Sequence, residues 1–206
     1  LPEVNMEEVC PLLSEIVNYL RKWSPESYEG YHIACALAAL SILSARRVQY
    51  FDGGLRSTNL NIIIVGQTGL TTKTTVLKLI KGLFRSLDLG YLLLPDTITA
   101  QKLLSVMCIK LPDGFDKMDD SEKNAIIQQI QKNEAFAGQK GWIFDEFGMF
   151  LREMSQSQHY NATFNELLKK FDDNSITQSN STQRRGDEVV YYPFLTLIGA
   201  MTPSDL

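Results

Sequence analysis

One local arrangement constrains this chain more than any other. Five residues, Asn61-Ile62-Ile63-Ile64-Val65, run directly into a polar segment containing Gly66 and Gly69 that ends on Lys73-Thr74-Thr75. A short β-branched run bounded by polar residues has the composition of a strand buried on both faces in a parallel sheet. Beyond the lysine, Val76, Leu77, Leu79, Ile80, Leu83 and Phe84 recur at three- and four-residue spacing, which predicts a helix. The expected local order is strand, glycine loop, helix.

Such a junction suits a polyphosphate. Backbone N–H groups of a glycine loop at a helix N-terminus supply closely packed donors, and the helix dipole favours the anion. Lys73 adds a mobile cation, and the hydroxyl of Thr74 or Thr75 suits Mg²⁺. The candidate nucleotide-binding residues are Gly66, Gln67, Thr68, Gly69, Leu70, Thr71, Thr72, Lys73, Thr74 and Thr75, with Thr74 taken as the metal ligand. The spacing departs from G-x-x-x-x-G-K-[ST]. Counted back from Lys73, the two glycines of that pattern would fall on Gln67 and Thr72, so the loop is one residue longer. If the residue before the lysine needs positive φ, the β-branched Thr72 predicts strain there. Read as a segment by itself, a Thr/Gly-rich turn of purely structural role remains the alternative.

A second strand signature, Gly141-Trp142-Ile143-Phe144, ends on Asp145-Glu146. It has the form of a Walker B segment, in which Asp145 would hold Mg²⁺ through water and Glu146 would act as general base on the attacking water. The alternative is an acidic pair capping a helix that starts near Phe147. Two strand-end motifs in this order would open at one C-terminal sheet edge, where α/β ligands bind, and together they favour ATP hydrolysis. A third strand over residues 194–198 leads to Thr202, read either as a polar sensor of the γ-phosphate or as an N-cap followed by Pro203. Arg184 and Arg185 lie in a polar segment, 172–188. They are read either as a finger acting in trans or a contact to nucleic-acid phosphate, or as solvated loop charges. Lys169-Lys170 reads as a helix C-terminal charge pair. His32 and His159 belong to no pattern.

The remaining chain frames these motifs. With 206 residues and 44% hydrophobic content, one sizeable core is expected, or one domain with a helical extension. The formal charge of -4 creates no global field toward a polyanion, so any nucleic-acid contact would need a local basic patch or a partner domain. Cys10, Cys35 and Cys108 show no metal or disulfide spacing and are expected as reduced core residues. The N-terminus lacks a leader pattern, and the longest apolar stretch, 33–45, is too short for a bilayer, so a cytoplasmic location without membrane contact is expected.

Helices are expected over 4–23, over 31–48 (Ala-rich, buried and ending in Arg46-Arg47), from Thr97 or Thr99 through Val106, and over 121–135, 147–154 and 163–171. Gly53-Gly54 marks a turn and 112–120 a polar loop. Further strands are expected at 91–94 and 188–192. The fold class is α/β, a P-loop NTPase core with a mainly parallel central sheet flanked by helices, preceded by an N-terminal helical extension. The division is an N-terminal helical segment over 1–55 and a core over 56–206. Because the chain starts on Leu1 and stops at MTPSDL, where a new helix is expected to start, that core is expected to be truncated at its C-terminal end.

The order of segments from Tyr31 onward resembles a family of P-loop proteins of phages, plasmids and integrated elements, the primase-associated helicase-like proteins. The likeness rests on the Ala-rich helix before the first strand, the loop VGQTGLTTKTT, the segments WIFDEFGMFL and FNELLKKFDDNS, and the closing LTLIGAMTPSDL. Members share an extended loop with a glycine seven positions before the lysine, as Gly66 stands to Lys73. They usually carry a basic residue where this chain has Thr72. The resemblance implies a RecA/AAA-like core, ATP and Mg²⁺ as ligands, and a role in replication or defence of mobile DNA. The leading expectation is an ATPase motor working as a homo-oligomer on single-stranded DNA or RNA. The alternatives are a nucleotide-dependent switch or assembly module with little hydrolysis, and a scaffold without catalysis.

Overall fold

The computed structural model describes residues 5–67, 72–108, 118–133, 138–156, 168, 178–182, 186–190 and 193–205. Its centre is a sheet of three parallel strands, β3 (Asn61–Val65), β7 (Phe194–Met201) and β4 (Gln139–Phe144), in the order β3-β7-β4. Val65 pairs with Met201 and Phe144 with Gly199, so the C-terminal ends of all three strands share one edge. The protein is α/β, with helices on both sheet faces.

The pleat sends alternate side chains to opposite faces. Ile64, Ile143, Ile198 and Ala200 enter a core built with α2 (Pro11–Trp23), α3 (Glu29–Ser44) and α4 (Lys73–Ser86). Trp142, Phe144, Leu195 and Leu197 enter a second core with α5 (Ala100–Met107) and α7 (Phe147–Gln156). The chain leaves β3 through α4 and crosses to Leu93, which bridges Gly141 in parallel; it then returns through β4 to β7. Crossovers of one hand that travel in opposite directions place their helices on opposite faces, which accounts for α4 on one side and α5 and α7 on the other.

Close approach fixes the first layer. A Cβ on Gly141 would lie 2.2 Å from Ile42 Cδ1, so α3 packs against β4 only because that position is glycine. Gln139 Nε2 donates to the Ile42 carbonyl at 2.7 Å, and Ser41 Oγ donates to the Thr58 carbonyl at 2.7 Å while pairing with Thr196 Oγ1.

Several sequence expectations change. The first helix is broken: α1 (Met6–Val9) ends at Cys10, and Pro11, which has no N–H to donate, restarts the chain as N1 of α2. Val9 is exposed, and Cys10 is half-buried rather than a core residue. Cys35 and Cys108 are buried, and burial pushes the Cys35 thiol up to about 12. The second helix ends at Ser44 in a 3₁₀ turn, from which Arg47 Nη1 donates to the Leu43 carbonyl at 2.9 Å. Gly53-Gly54 turns a hairpin of β1 (Gln49–Phe51) and β2 (Leu55–Ser57).

β3 is not buried on both faces. It pairs only with β7 among the described residues, Ile64 alone is buried, and Ile63 and Val65 are exposed. Residues 91–94 form a 3₁₀ turn and one bridge rather than a strand. The polar segment 172–188 contributes β5 (Gln178–Thr182), which pairs antiparallel with β6 (Gly186–Val190) apart from the central sheet. Thr99, not Thr97, caps α5, accepting from Lys102 N at 3.2 Å. α6 spans Asp120–Asn133. The expected helix over 163–171, with Lys169-Lys170, lies outside the described residues except for Leu168, as do His159 and 112–117. Among the described residues no helix is long and apolar enough to cross a membrane.

Candidate functional site

The edge at which β3, β4 and β7 end collects most of the residues singled out in the sequence. β3 passes into Gly66, which is buried and donates its N–H to the Met201 carbonyl at 3.1 Å. That N–H is consumed in extending the sheet, so Gly66 contributes the direction of the chain rather than a donor. Gln67 follows as an exposed residue, and Thr68, Gly69, Leu70 and Thr71 lie outside the described residues.

The chain resumes at Thr72, the N-cap of α4, with φ 44° and ψ 24°. The strain expected of a β-branched residue before the lysine is present, and a left-handed conformation of this kind costs about 1–2 kcal/mol for a residue with a Cβ. The Thr72 carbonyl accepts from Thr75 N at 3.0 Å and from Val76 N at 3.4 Å, which starts the helix. Among the described residues no side chain caps α4, and the positive end of its dipole lies at its start, beside Lys73 and Thr74.

Lys73 is 8% exposed, and its Nζ donates to the Gly66 carbonyl at 2.9 Å. The ammonium thus spans from one end of the segment to the other. Thr74 Oγ1 donates to Asp145 Oδ1 at 2.9 Å, joining the start of α4 to the end of β4, while Thr75 points to solvent. Of the two threonines, only Thr74 shares a site with the acidic pair.

Asp145 is half-buried and Glu146 exposed. The Glu146 carbonyl accepts from Met149 N at 3.1 Å and Phe150 N at 3.3 Å, so this residue starts α7 through its backbone while its side chain is exposed. That side chain lines a cavity of 280 Å³ together with Thr97, Thr99, Phe144 and Phe150. α4 packs on one face of the sheet and α7 on the other, and the C-terminal edge of a parallel sheet is the usual place for a ligand.

Thr202 follows β7 at the same edge. Its N–H and hydroxyl donate to Asp205 Oδ2 at 2.8 and 2.7 Å, and its hydroxyl also pairs with Ser204 Oγ at 2.7 Å. At the start of the 3₁₀ turn over Pro203–Asp205 the acid thus takes the Thr202 N–H, the reciprocal bond of a capping box, while the Thr202 hydroxyl donates to the same carboxylate. Asp205 also accepts from Arg152 Nη2 on α7 at 2.5 Å, and its side chain is only 9% exposed. The two Thr202 bonds hold its carboxyl below the usual range against the cost of desolvation, with smaller help from Arg152 and Lys73. A Cβ on Gly148 would lie 2.3 Å from this carboxylate, so glycine in the first turn of α7 makes room for it. Asp205 was missed in the sequence, although Thr202-Pro-Ser-Asp205 spells the threonine-x-x-acid pattern of a capping box. Arg184 and Arg185 lie outside the described residues, between β5 and β6.

A divalent ion of the Mg²⁺ type fits this donor set. Mg²⁺ takes hard oxygen ligands and keeps several waters, commonly with one or two protein oxygens beside a phosphate. Thr74 Oγ1 and Asp145 Oδ1, already 2.9 Å apart, are oxygens of that kind. Among the described residues no group of three or more His, Cys, Asp or Glu side chains is arranged to hold a metal. Comparison of the chain with protein-family models and with curated proteins gives no match.

Proposed function

We propose that this chain is an ATP-binding and ATP-hydrolysing P-loop domain with a RecA/AAA-like core, acting as a helicase-like motor in the replication or defence of mobile DNA. The observation that carries the reading is the meeting of Lys73, Thr74 and Asp145 at one end of a parallel sheet, with Thr74 bonded to Asp145. The strand order adds support, because β7 separates the strands that end on Gly66 and Asp145 and brings Thr202 between them.

In this reading the backbone amides of Lys73 and Thr74 at the start of α4 and the Lys73 ammonium bind the β- and γ-phosphates. Thr74 and Asp145 hold Mg²⁺, which when bound neutralises charge developing on the transferred phosphoryl group. Glu146 orients the attacking water and accepts its proton. The remaining parts of the reading are a homo-oligomer, single-stranded DNA or RNA as the track, a cytoplasmic setting, and Arg184 or Arg185 as a finger in trans or a phosphate contact, with solvated loop charges as the alternative for the arginines.

Mg²⁺-dependent ATP binding and phosphate release by the wild type, Lys73→Ala and Glu146→Gln, with and without single-stranded DNA, tests the reading. Lys73→Ala removes a charged hydrogen-bond donor and should weaken binding roughly 10- to 150-fold. Glu146→Gln should keep binding and slow turnover about 10²- to 10⁴-fold. Binding without turnover in the wild type would make the chain a nucleotide-dependent switch, and a folded wild type that binds no ATP would leave a scaffold.

A further inference from the structure

The turn between α2 and α3, with the first turn of α3, reaches the phosphate segment at both of its ends. Ser27, 8% exposed, pairs through its hydroxyl with Thr72 Oγ1, and the same hydroxyl lies 3.5 Å from the Thr72 carbonyl. Thr72 is the left-handed residue immediately before Lys73. At the other end, the Tyr31 hydroxyl donates to the carbonyl of Val65, the residue immediately before Gly66, at 2.9 Å. These contacts cross 45 and 34 positions of sequence, so they are tertiary choices rather than consequences of the loop's own geometry.

The turn is itself held. Ser24 Oγ lies 2.6 Å from Ser27 Oγ, and Ser27 N donates to the Ser24 carbonyl at 3.1 Å. His32, buried in α3, donates from Nε2 to the same carbonyl at 3.1 Å. Tyr28 meets Tyr31 edge to face at 5.5 Å between centroids. A β-branched residue adopts a left-handed backbone only when its surroundings over-determine it, and Ser27 is the side chain that bonds Thr72 from outside the loop.

We infer that Ser27 and Tyr31 are positioning residues for the phosphate site: Ser27 in the α2–α3 turn bonds Thr72, Tyr31 in the first turn of α3 bonds Val65, and together they keep Thr72 in the conformation that aims Lys73 and the start of α4. The inference rests on the nucleotide reading of that site. It assigns the N-terminal helices a part in binding that no motif in them announces.

The test uses the full chain as Ser27→Ala, Tyr31→Phe, Thr72→Gly and the pair Ser27→Ala/Thr72→Gly, with two readouts. The first is amide hydrogen exchange at Thr75 and Val76 without nucleotide, since both amides bond the Thr72 carbonyl. The second is Mg-ATP affinity. Ser27→Ala should speed exchange at both amides and weaken affinity about fivefold, the size of one lost hydrogen bond, and Tyr31→Phe should weaken affinity by less. In the Thr72→Gly background the same Ser27 change should alter affinity less than about twofold, because glycine adopts the left-handed backbone unaided.

Unchanged affinity and exchange in Ser27→Ala, with a wild type that binds ATP, would overturn the inference alone. An equal loss with or without Thr72→Gly would also overturn it, since that pattern reports general destabilisation. A wild type that binds no Mg-ATP overturns the nucleotide reading and, with it, the role assigned to the turn.

Discussion

Thr74 donates a 2.9 Å hydrogen bond to Asp145, a residue 71 positions later in the chain. One group comes from the first turn of a helix and the other from the end of a strand two places across the sheet, so the bond ties the start of α4 to the end of β4. A metal ion shared by the two oxygens requires both. Thr74→Val keeps the shape and removes the oxygen, and should lose at least about tenfold in Mg²⁺-dependent ATP affinity, in line with a charge-assisted contact worth about 1.5–3 kcal/mol. Thr74→Ser keeps the oxygen and should bind as the wild type does. Titrating Mg²⁺ at fixed ATP separates the cases: equal Mg²⁺ dependence in Thr74→Val and wild type would remove Thr74 from the proposed metal site.

Asp205 ties two elements to the same edge, accepting from Thr202 at the end of β7 and from Arg152 on α7. Its carboxyl titrates below the ordinary value of 3.8, chiefly because of the Thr202 bonds. A carboxylate with a depressed folded-state pKa stabilises the fold above its unfolded pKa, and that contribution is lost as pH falls through the folded value. Asp205→Asn should therefore be less stable than the wild type at pH 7, with the gap closing below about pH 4. Denaturant unfolding at several pH values reads it directly, and a gap that stays constant from pH 7 to 3 would show that ionisation of Asp205 does not matter.

What the sequence made legible follows from where the signal was local. The strand into Gly66, the helix carrying Val76, Leu77 and Ile80, and the buried run Trp142-Ile143-Phe144 each carry a period or composition that one element determines. The burial of β3 was misread because β-branched composition marks a strand without saying whether it has a neighbour on each side. The hairpin of β5 and β6 escaped because its first strand, Gln-Ser-Asn-Ser-Thr, has little strand-forming composition. Residues 91–94 had the right composition, yet the chain makes only one bridge there after a tight 3₁₀ turn. Ser27 and Tyr31 could not have been found, since what distinguishes them is a distance to Thr72 and Val65 that only the packed helices create.

The last prediction concerns His32, which is 1% exposed at the base of the α2–α3 turn. Its Nε2 donates to the Ser24 carbonyl, which fixes the neutral tautomer, and its Nδ1 is buried with no hydrogen-bond partner among the described residues. A second proton would go to that unpartnered nitrogen in an apolar setting. Burial accordingly lowers the His32 pKa from 6.5, opposed by the Ser24 bond, with Arg21 lowering it further and Glu29 raising it. The sign then follows. Above pH 6.5 neither the folded nor the unfolded chain protonates this ring appreciably; between 6.5 and the lowered folded value only the unfolded chain does, so stability falls with falling pH across that window. His32→Gln cannot titrate, and its stability should be flatter than that of the wild type between pH 7.5 and 5.5. Denaturant melts of both proteins across that range test this, and parallel pH profiles would exclude His32 as the group responsible.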